Sequence, residues 1–332
     1  MVSIVQVILA GSTAAFSARP KKAKSLRGRS SLSWELTMSK IVIVFYVINA
    51  LQAMIILAGN AFTIYVFWYR RNNLKRTGLL LINLAVIDLL VGVATFIEIS
   101  PQILQKDTIE PIHYDDPISV FQVLCSCSSV ICLVAVSLER AYAVLKPLRH
   151  RAASTQAYIL SIVFVWVGGL AMALVYTLEM FQLLPTIYST VIQDVALVSA
   201  FVVVVAAYMA IHTRLKLTVP SLEAHNRHSA KQNAKLSRTL FIVIAVSLSL
   251  WLPSIVLYTI DDFCPDCALP EVLLFISRVL HLTNPMINPV VYIYRMPMFK
   301  ESMKSCLKKC SVNSKRDMSE ESTQSGTFDT PL

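Results

Sequence analysis

Seven apolar runs, each long enough to cross the hydrocarbon core of a bilayer, dictate what this chain folds into. They lie at Ile41–Tyr69, Gly78–Leu104, Ile118–Val144, Gln156–Leu178, Ile187–His212, Leu236–Ile260 and Val272–Tyr294. A spanning helix needs about 20 mainly apolar residues, and lipid admits only structures that satisfy their backbone polar groups internally. An all-α membrane protein, a seven-transmembrane helix bundle, is therefore expected. The connections are short, so the 332 residues leave no room for a second folded domain. Only 15% of the chain is charged, against about a quarter in soluble domains.

The charges outside the runs alternate. The first, third and fifth connections hold Arg70, Arg71, Lys75 and Arg76, then Lys146, Arg149 and Arg151, then Arg214, Lys216, Arg227, Lys231 and Lys235. The second, fourth and sixth are acidic or nearly neutral, with Asp107, Glu110, Asp115 and Asp116, then Glu179, then Asp261, Asp262, Asp266 and Glu271. Basic loops stay in the cytoplasm, so the C-terminus is expected inside and the N-terminus outside, as in a multi-pass plasma-membrane protein. The net charge of +10 then reflects loop bias, and no nucleic-acid partner need be invoked. The basic stretch from Arg19 to Lys40 runs against this pattern. The eighteen residues before it are apolar and end in small residues, as in a signal segment, but they lack a basic start and a clean cleavage motif. The expected organisation is an extracellular tail over 1–40, the bundle over 41–295, a membrane-surface helix over 296–310 and a disordered cytoplasmic tail over 311–332.

Polar residues inside the runs mark function by default, because a carboxylate at mid-membrane costs roughly 2.5–3.5 kcal/mol. Asp88 is such a residue. Asn284 and Asn288, each followed by proline, share one helix face. With Asn60 and Ser129 they lie at comparable depth. Two readings stay open: a cavity for a hard monovalent cation, or a structural network around a protonated Asp88. Glu139-Arg140 ends the third run, either as a plain charged anchor or as a switch, and Leu148 follows as an apolar knob in a basic loop. Trp251 stands two residues before Pro253, which should kink the sixth helix. Cys264 and Cys267 favour a disulfide over half a zinc site. Cys306 and Cys310, on the apolar face of an amphipathic segment, are candidates for acylation.

These features together resemble a class A, rhodopsin-like G-protein-coupled receptor. The resemblance rests on Gly59-Asn60, Asn83-Leu84-Ala85-Val86-Ile87-Asp88, Glu139-Arg140-Ala141, Trp166, Tyr208, Trp251-x-Pro253 and Asn288-Pro289-x-x-Tyr292, in order along the chain. It implies a sodium pocket of Asp88, Ser129, Asn284 and Asn288, with sodium as an allosteric modulator and no other cofactor. It also implies a G-protein contact at Arg140 beside Glu139, inward-turning tyrosines at Tyr208 and Tyr292, and G-protein docking at Leu148. Expected partners are an extracellular ligand, a heterotrimeric G protein, arrestin, receptor kinases and membrane lipid. No catalytic residues are expected. Ala200 and Ser247 replace the family's fifth-span proline and sixth-span phenylalanine, and Asn233 offers Arg140 no acid.

Asp115 stands where the family carries the third-span cysteine and residues 179–190 contain none, so the usual outer disulfide is missing; this, the lost fifth-span proline, a very short second outer loop and Cys in the third outer loop are similar to melanocortin receptors. Their wider group includes lysophospholipid, cannabinoid and adenosine receptors. Glu98 and Asp115 match two acids that hold calcium there, with Ser119 in the third place and Asp116 close by. Asn288-Pro289, where melanocortin receptors have Asp-Pro, stands against that subtype. Gln122 stands where amine receptors carry aspartate, which disfavours a monoamine, and Leu282 stands where opsins carry the retinal lysine. Glu98, Asp115, Asp116, Glu179 and Asp194 make the outer half acidic, which favours a basic peptide or a divalent ion. Arg278 and His281 favour an anionic head group, and Glu98 and Arg278 could instead neutralise each other. The alternative function is an ion-coupled transporter or channel using the Asp88 cavity, although no internal repeat is visible. A membrane hydrolase is more distant, because the histidines are scattered.

Overall fold

The computed structural model describes residues 30–69, 77–104, 117–218, 245–247, 249–257, 259–260, 263–264, 267, 269–296 and 299–305. All of its regular elements are helices: α1 (Ser30–Tyr69), α2 (Thr77–Leu104), α3 (Pro117–Leu145), the short α4 (Pro147–Ala152), α5 (Thr155–Met180), α6 (Thr186–Thr218), α7 (Ala245–Leu257) and α8 (Glu271–Arg295). Five of these, α1, α2, α3, α5 and α6, are long and apolar enough to cross a membrane. The seventh run forms α8, whose 25 residues are diluted by Arg278, His281, Asn284 and Asn288. Residues 236–244 of the sixth run lie outside the described residues. Two helices run past their apolar runs: residues 30–40, read from sequence as tail, continue the first-span helix, and α6 extends beyond His212 to Thr218.

Burial sorts the helices into inner and outer ones. About 61% of the most apolar stretch of α2 and of α3 is buried, against 22% for α5 and α6. Phe164, Leu160, Leu174, Val195 and Val202 all point out of the bundle. In water such a continuous apolar belt would be a liability, whereas in lipid it faces its own solvent. The core runs instead between α2, α3 and α8, through Leu84, Ile87, Val91, Leu282 and Tyr292.

Small residues set the close approaches, as they do where lipid gives helices no hydrophobic drive to associate. A Cβ on Gly169 of α5 would stand 2.0 Å from Ser128 Oγ and 3.0 Å from the Leu124 carbonyl oxygen of α3. Nearby, Trp166 Nε1 donates to Asn83 Oδ1 at 3.0 Å, and Asn83 Nδ2 donates to Cys132 Sγ at 3.5 Å. That chain of bonds staples α5 to α2 and α2 to α3. The α5–α6 connection is as short as read. Gln182 takes a left-handed φ of 56°, its N–H donates to Glu179 O, and Leu183 N–H donates to Leu178 O. This is the Schellman pattern, which satisfies the last helix carbonyls and turns the chain at once into α6. After α8, Phe299 is fully buried against Phe67 and Tyr292 at ring-centroid distances of 5.0 and 5.7 Å. Lys300 and Lys304 stay exposed, so the described start of the surface helix is amphipathic.

Candidate functional site

Asp88 is 1% exposed and sits among α2, α3 and α8. Ser129 Oγ of α3 donates to its Oδ1 at 2.9 Å, and Asn288 Nδ2 of α8 donates to its Oδ2 at 2.6 Å. Each carboxylate oxygen thus ties a different helix to α2. Asn284, one turn from Asn288, is also buried, but the bonds to Asp88 come from Ser129 and Asn288. The oxygens Asn284 Oδ1 and Asn288 Oδ1 have no hydrogen-bond partner. Asn288 Oδ1, on a residue bonded to the carboxylate, is thus a buried orphan oxygen of the kind a hard cation takes as a donor.

Asn60 does different work. Pro289 has no N–H to give the carbonyl one turn back, Pro285 O. Asn60 Nδ2 reaches across from α1 and donates to that oxygen at 3.1 Å. Gly59 makes the approach possible, since a Cβ there would meet Pro289 Cγ at 3.1 Å. The Gly-Asn pair in α1 and the Asn-Pro pair in α8 therefore form one joint.

In the half of the bundle opposite Arg140, Arg278 Nη2 donates to Glu98 Oε2 at 2.5 Å, with both side chains buried. Of the readings left open for these two residues, the ion pair is the one the fold forms. A guanidinium therefore sits on the Glu98 carboxylate. Its expected co-ligand Asp115 and neighbouring Asp116 lie outside the described residues. Among the described residues no group of three or more His, Cys, Asp or Glu could hold a metal. Gln122 Nε2 donates to Thr95 Oγ1 at 3.1 Å. His281 stands edge-on to Trp251 with ring centroids 4.1 Å apart. Next to the Trp251 turn, Ser254 Oγ donates to Ser277 O at 3.0 Å and ties α7 to α8. Cys264 and Cys267 are joined by a disulfide.

At the other end Arg140 is 5% exposed and bonds Glu139 through both Nε and Nη2. Glu139 is a hub: His150 Nε2 of α4 lies 2.8 Å from its Oε1, and Tyr158 OH of α5 donates to the same oxygen at 3.2 Å. Neither His150 nor Tyr158 was singled out from sequence. His150 reads there as one more residue of a basic loop, and only the α4 turn carries it back to Glu139. Leu148, on the same turn, is 80% exposed. Tyr208 stacks on His212, whereas Tyr292 packs on Phe299, so these two tyrosines occupy separate clusters. Ala200 and Ser247 line, with Phe201, Val204 and Trp251, a gap of about 10 Å³, at the threshold for one water molecule. Cys306, Cys310 and Asn233 lie outside the described residues.

A bundle latched by a buried carboxylate between three helices, with an arginine–acid pair at one end, defines a seven-helix membrane receptor. The family model described as 7 transmembrane receptor (rhodopsin family) matches residues 59–292, and the chain belongs to that family. It is 22% identical to the adenosine receptor A2a of Homo sapiens over 301 residues, covering 80% of this chain and 72% of the relative. It is 22% identical to the octopamine receptor beta-1R of Drosophila melanogaster, covering 92% and 68%. It is 24% identical to the lysophosphatidic acid receptor 1-A of Xenopus laevis, covering 60% and 58%. The protein is thus a multi-pass, ligand-activated receptor that signals through G proteins, and it is not an enzyme.

Proposed function

We propose that this receptor sits in the plasma membrane with its N-terminus outside and that an extracellular peptide or small molecule, neither a monoamine nor retinal, switches it by acting among Glu98, Gln122, Trp251, Arg278 and His281. The observation that carries this reading is the pair of hydrogen bonds that Ser129 and Asn288 donate to Asp88. It ties α3 and α8 to α2 in one arrangement, and an agonist acts by binding better to the arrangement in which the latch is rearranged. Asp88, Ser129, Asn284 and Asn288 would hold a sodium ion, whose charge favours the latched state. Release would free Arg140 from Glu139 and expose a cleft for the G protein, with Leu148 as a second contact and with Tyr208 and Tyr292 turning inward to brace the opening.

Gln122 supports a ligand without a basic amine, because its amide is bonded to Thr95 and supplies no charge for an ammonium. The relatives named for adenosine and lysophosphatidic acid agree with this, while the one named for octopamine marks the boundary to be tested. Arrestin and receptor kinases complete the expected partners, and lipid contacts the residue 296–310 helix, with acyl chains on Cys306 and Cys310. The transporter reading has less support, since a path through Asp88 would have to break both of its bonds.

The experiment is G-protein nucleotide exchange with wild-type and Arg140→Ala receptor matched for surface expression, read on basal activity and across a ligand panel that includes octopamine. Loss of exchange is expected. Unchanged exchange, together with ion flux through purified protein in liposomes, would overturn the reading in favour of a transporter.

A further inference from the structure

Glu98 and Arg278 bridge α2 and α8, and both are buried. One turn deeper, toward the Asp88 latch, stand Thr95 on α2 and His281 on α8. Each brings in a neighbour: Thr95 accepts from Gln122 of α3, and His281 stands edge-on to Trp251 of α7. Val123, next to Gln122, packs in one cluster with Trp251. Four helices thus meet in a small floor beneath the ion pair.

That floor carries polar atoms with nothing to bond. Gln122 Oε1, Trp251 Nε1 and His281 Nδ1 have no hydrogen-bond partner, on residues only 2%, 3% and 4% exposed. Buried polar groups rarely stay unpaired, because each lost partner leaves the desolvation cost standing. The three atoms also specify what would satisfy them. An indole N–H only donates, an amide oxygen only accepts, and an imidazole nitrogen does either according to its tautomer. A hydroxyl or a primary amide accepts and donates at once, so it matches the set. An ammonium only donates and would leave the indole N–H orphaned. A carboxylate or phosphate only accepts and would leave the amide oxygen orphaned. An ion would also have to draw Glu98 or Arg278 away from the other, which strands a buried charge. Asp194 accepts from Thr259, and neither it nor Glu179 lies on the four helices of the floor.

We propose that the floor of Gln122, Trp251 and His281 takes the hydroxyl- or amide-bearing end of an uncharged small molecule, which accepts from the indole N–H and donates to the amide oxygen. This names the ligand class for the site assigned above and rests on that assignment.

The test reads binding as the melting temperature of purified full-length receptor, which does not depend on G-protein coupling. The probes are uncharged (adenosine, nicotinamide, inositol), cationic (octopamine, agmatine) and anionic (succinate, glycerol phosphate). Stabilisation by an uncharged probe and by no charged one is expected. His281→Phe and Trp251→Phe keep both rings in place and should each weaken that probe about fivefold, the equivalent of one hydrogen bond. Gln122→Glu keeps the shape and adds a charge, and should admit octopamine. If one variant does not fold, the other two decide. Stabilisation of the wild type by a charged probe would overturn the proposal, as would a neutral probe indifferent to both ring variants or a Gln122→Glu receptor still blind to octopamine. So would stabilisation by no probe, the result for a floor that holds trapped water only. If an uncharged probe binds through these residues but leaves nucleotide exchange unmoved, the ligand class stands and the switching role assigned to the site falls.

Discussion

A proline inside a helix leaves the carbonyl one turn back without its donor, and in α8 the side chain of Asn60 replaces it. Asn60→Ala should therefore cost about 1–3 kcal/mol, the penalty for orphaning a buried acceptor. The same substitution in a Pro289→Ala background should cost much less, because the new backbone N–H can satisfy Pro285 O. Melting temperatures of the four receptors in one detergent check this, and simple additivity would refute it. Asp88→Asn keeps the shape and removes the charge. Replacing potassium by sodium should lower basal nucleotide exchange in the wild type and leave the variant unmoved; a sodium response that persists in the variant would remove Asp88 from the ion site. Both residues stand out in the sequence because polar groups are rare in apolar runs. The work of Asn60 does not: it reads there as a cavity wall, and only the fold shows that it serves a proline in another helix.

Helix pairs depend on where side chains are missing. Gly169 and Gly168 are neighbours in α5 and would react differently to a methyl group. At Gly169 the obstacles include the Leu124 backbone carbonyl, which cannot rotate away, whereas at Gly168 the nearest atom is the end of the Ile131 side chain, 2.7 Å away. Gly169→Ala should destabilise by about 1–3 kcal/mol, as overpacking does, and Gly168→Ala by a small fraction of that, read as yield of monodisperse receptor and melting temperature. Equal effects would mean that the α3–α5 contact is not set at Gly169. The helices themselves were readable from hydropathy, to within a residue or two at most described ends. The exceptions have physical reasons, and α6, which runs past His212 through Arg214 and Lys216 to Thr218, shares the first of them. Residues 30–40 continue α1 although their charges break the apolar pattern, because a helix needs backbone hydrogen bonds and not hydropathy. The α4 turn is too short to show a period, so the His150–Glu139–Tyr158 cluster it builds could not be read in advance.

For the whole molecule, alternating loop charge implies an orientation, and the fold offers a place to test it. A small epitope inserted at Gln182, in the α5–α6 turn, should be labelled by antibody on intact cells, and one placed after Leu332 only after permeabilisation. The reverse pattern would invert the topology. The seven-helix class was legible because motifs in separate spans kept their order; the ligand was not, because Glu98 and Arg278 are each compatible with several partners until they are seen to hold one another.

The joint between Gly59-Asn60 and Pro285–Pro289 has one more consequence. It pins α8 to α1 part-way along its length, and beyond the pin the chain is held to α1 a second time, where Phe299 packs on Phe67. A twist on the ligand side of the joint therefore works against two anchors on one helix.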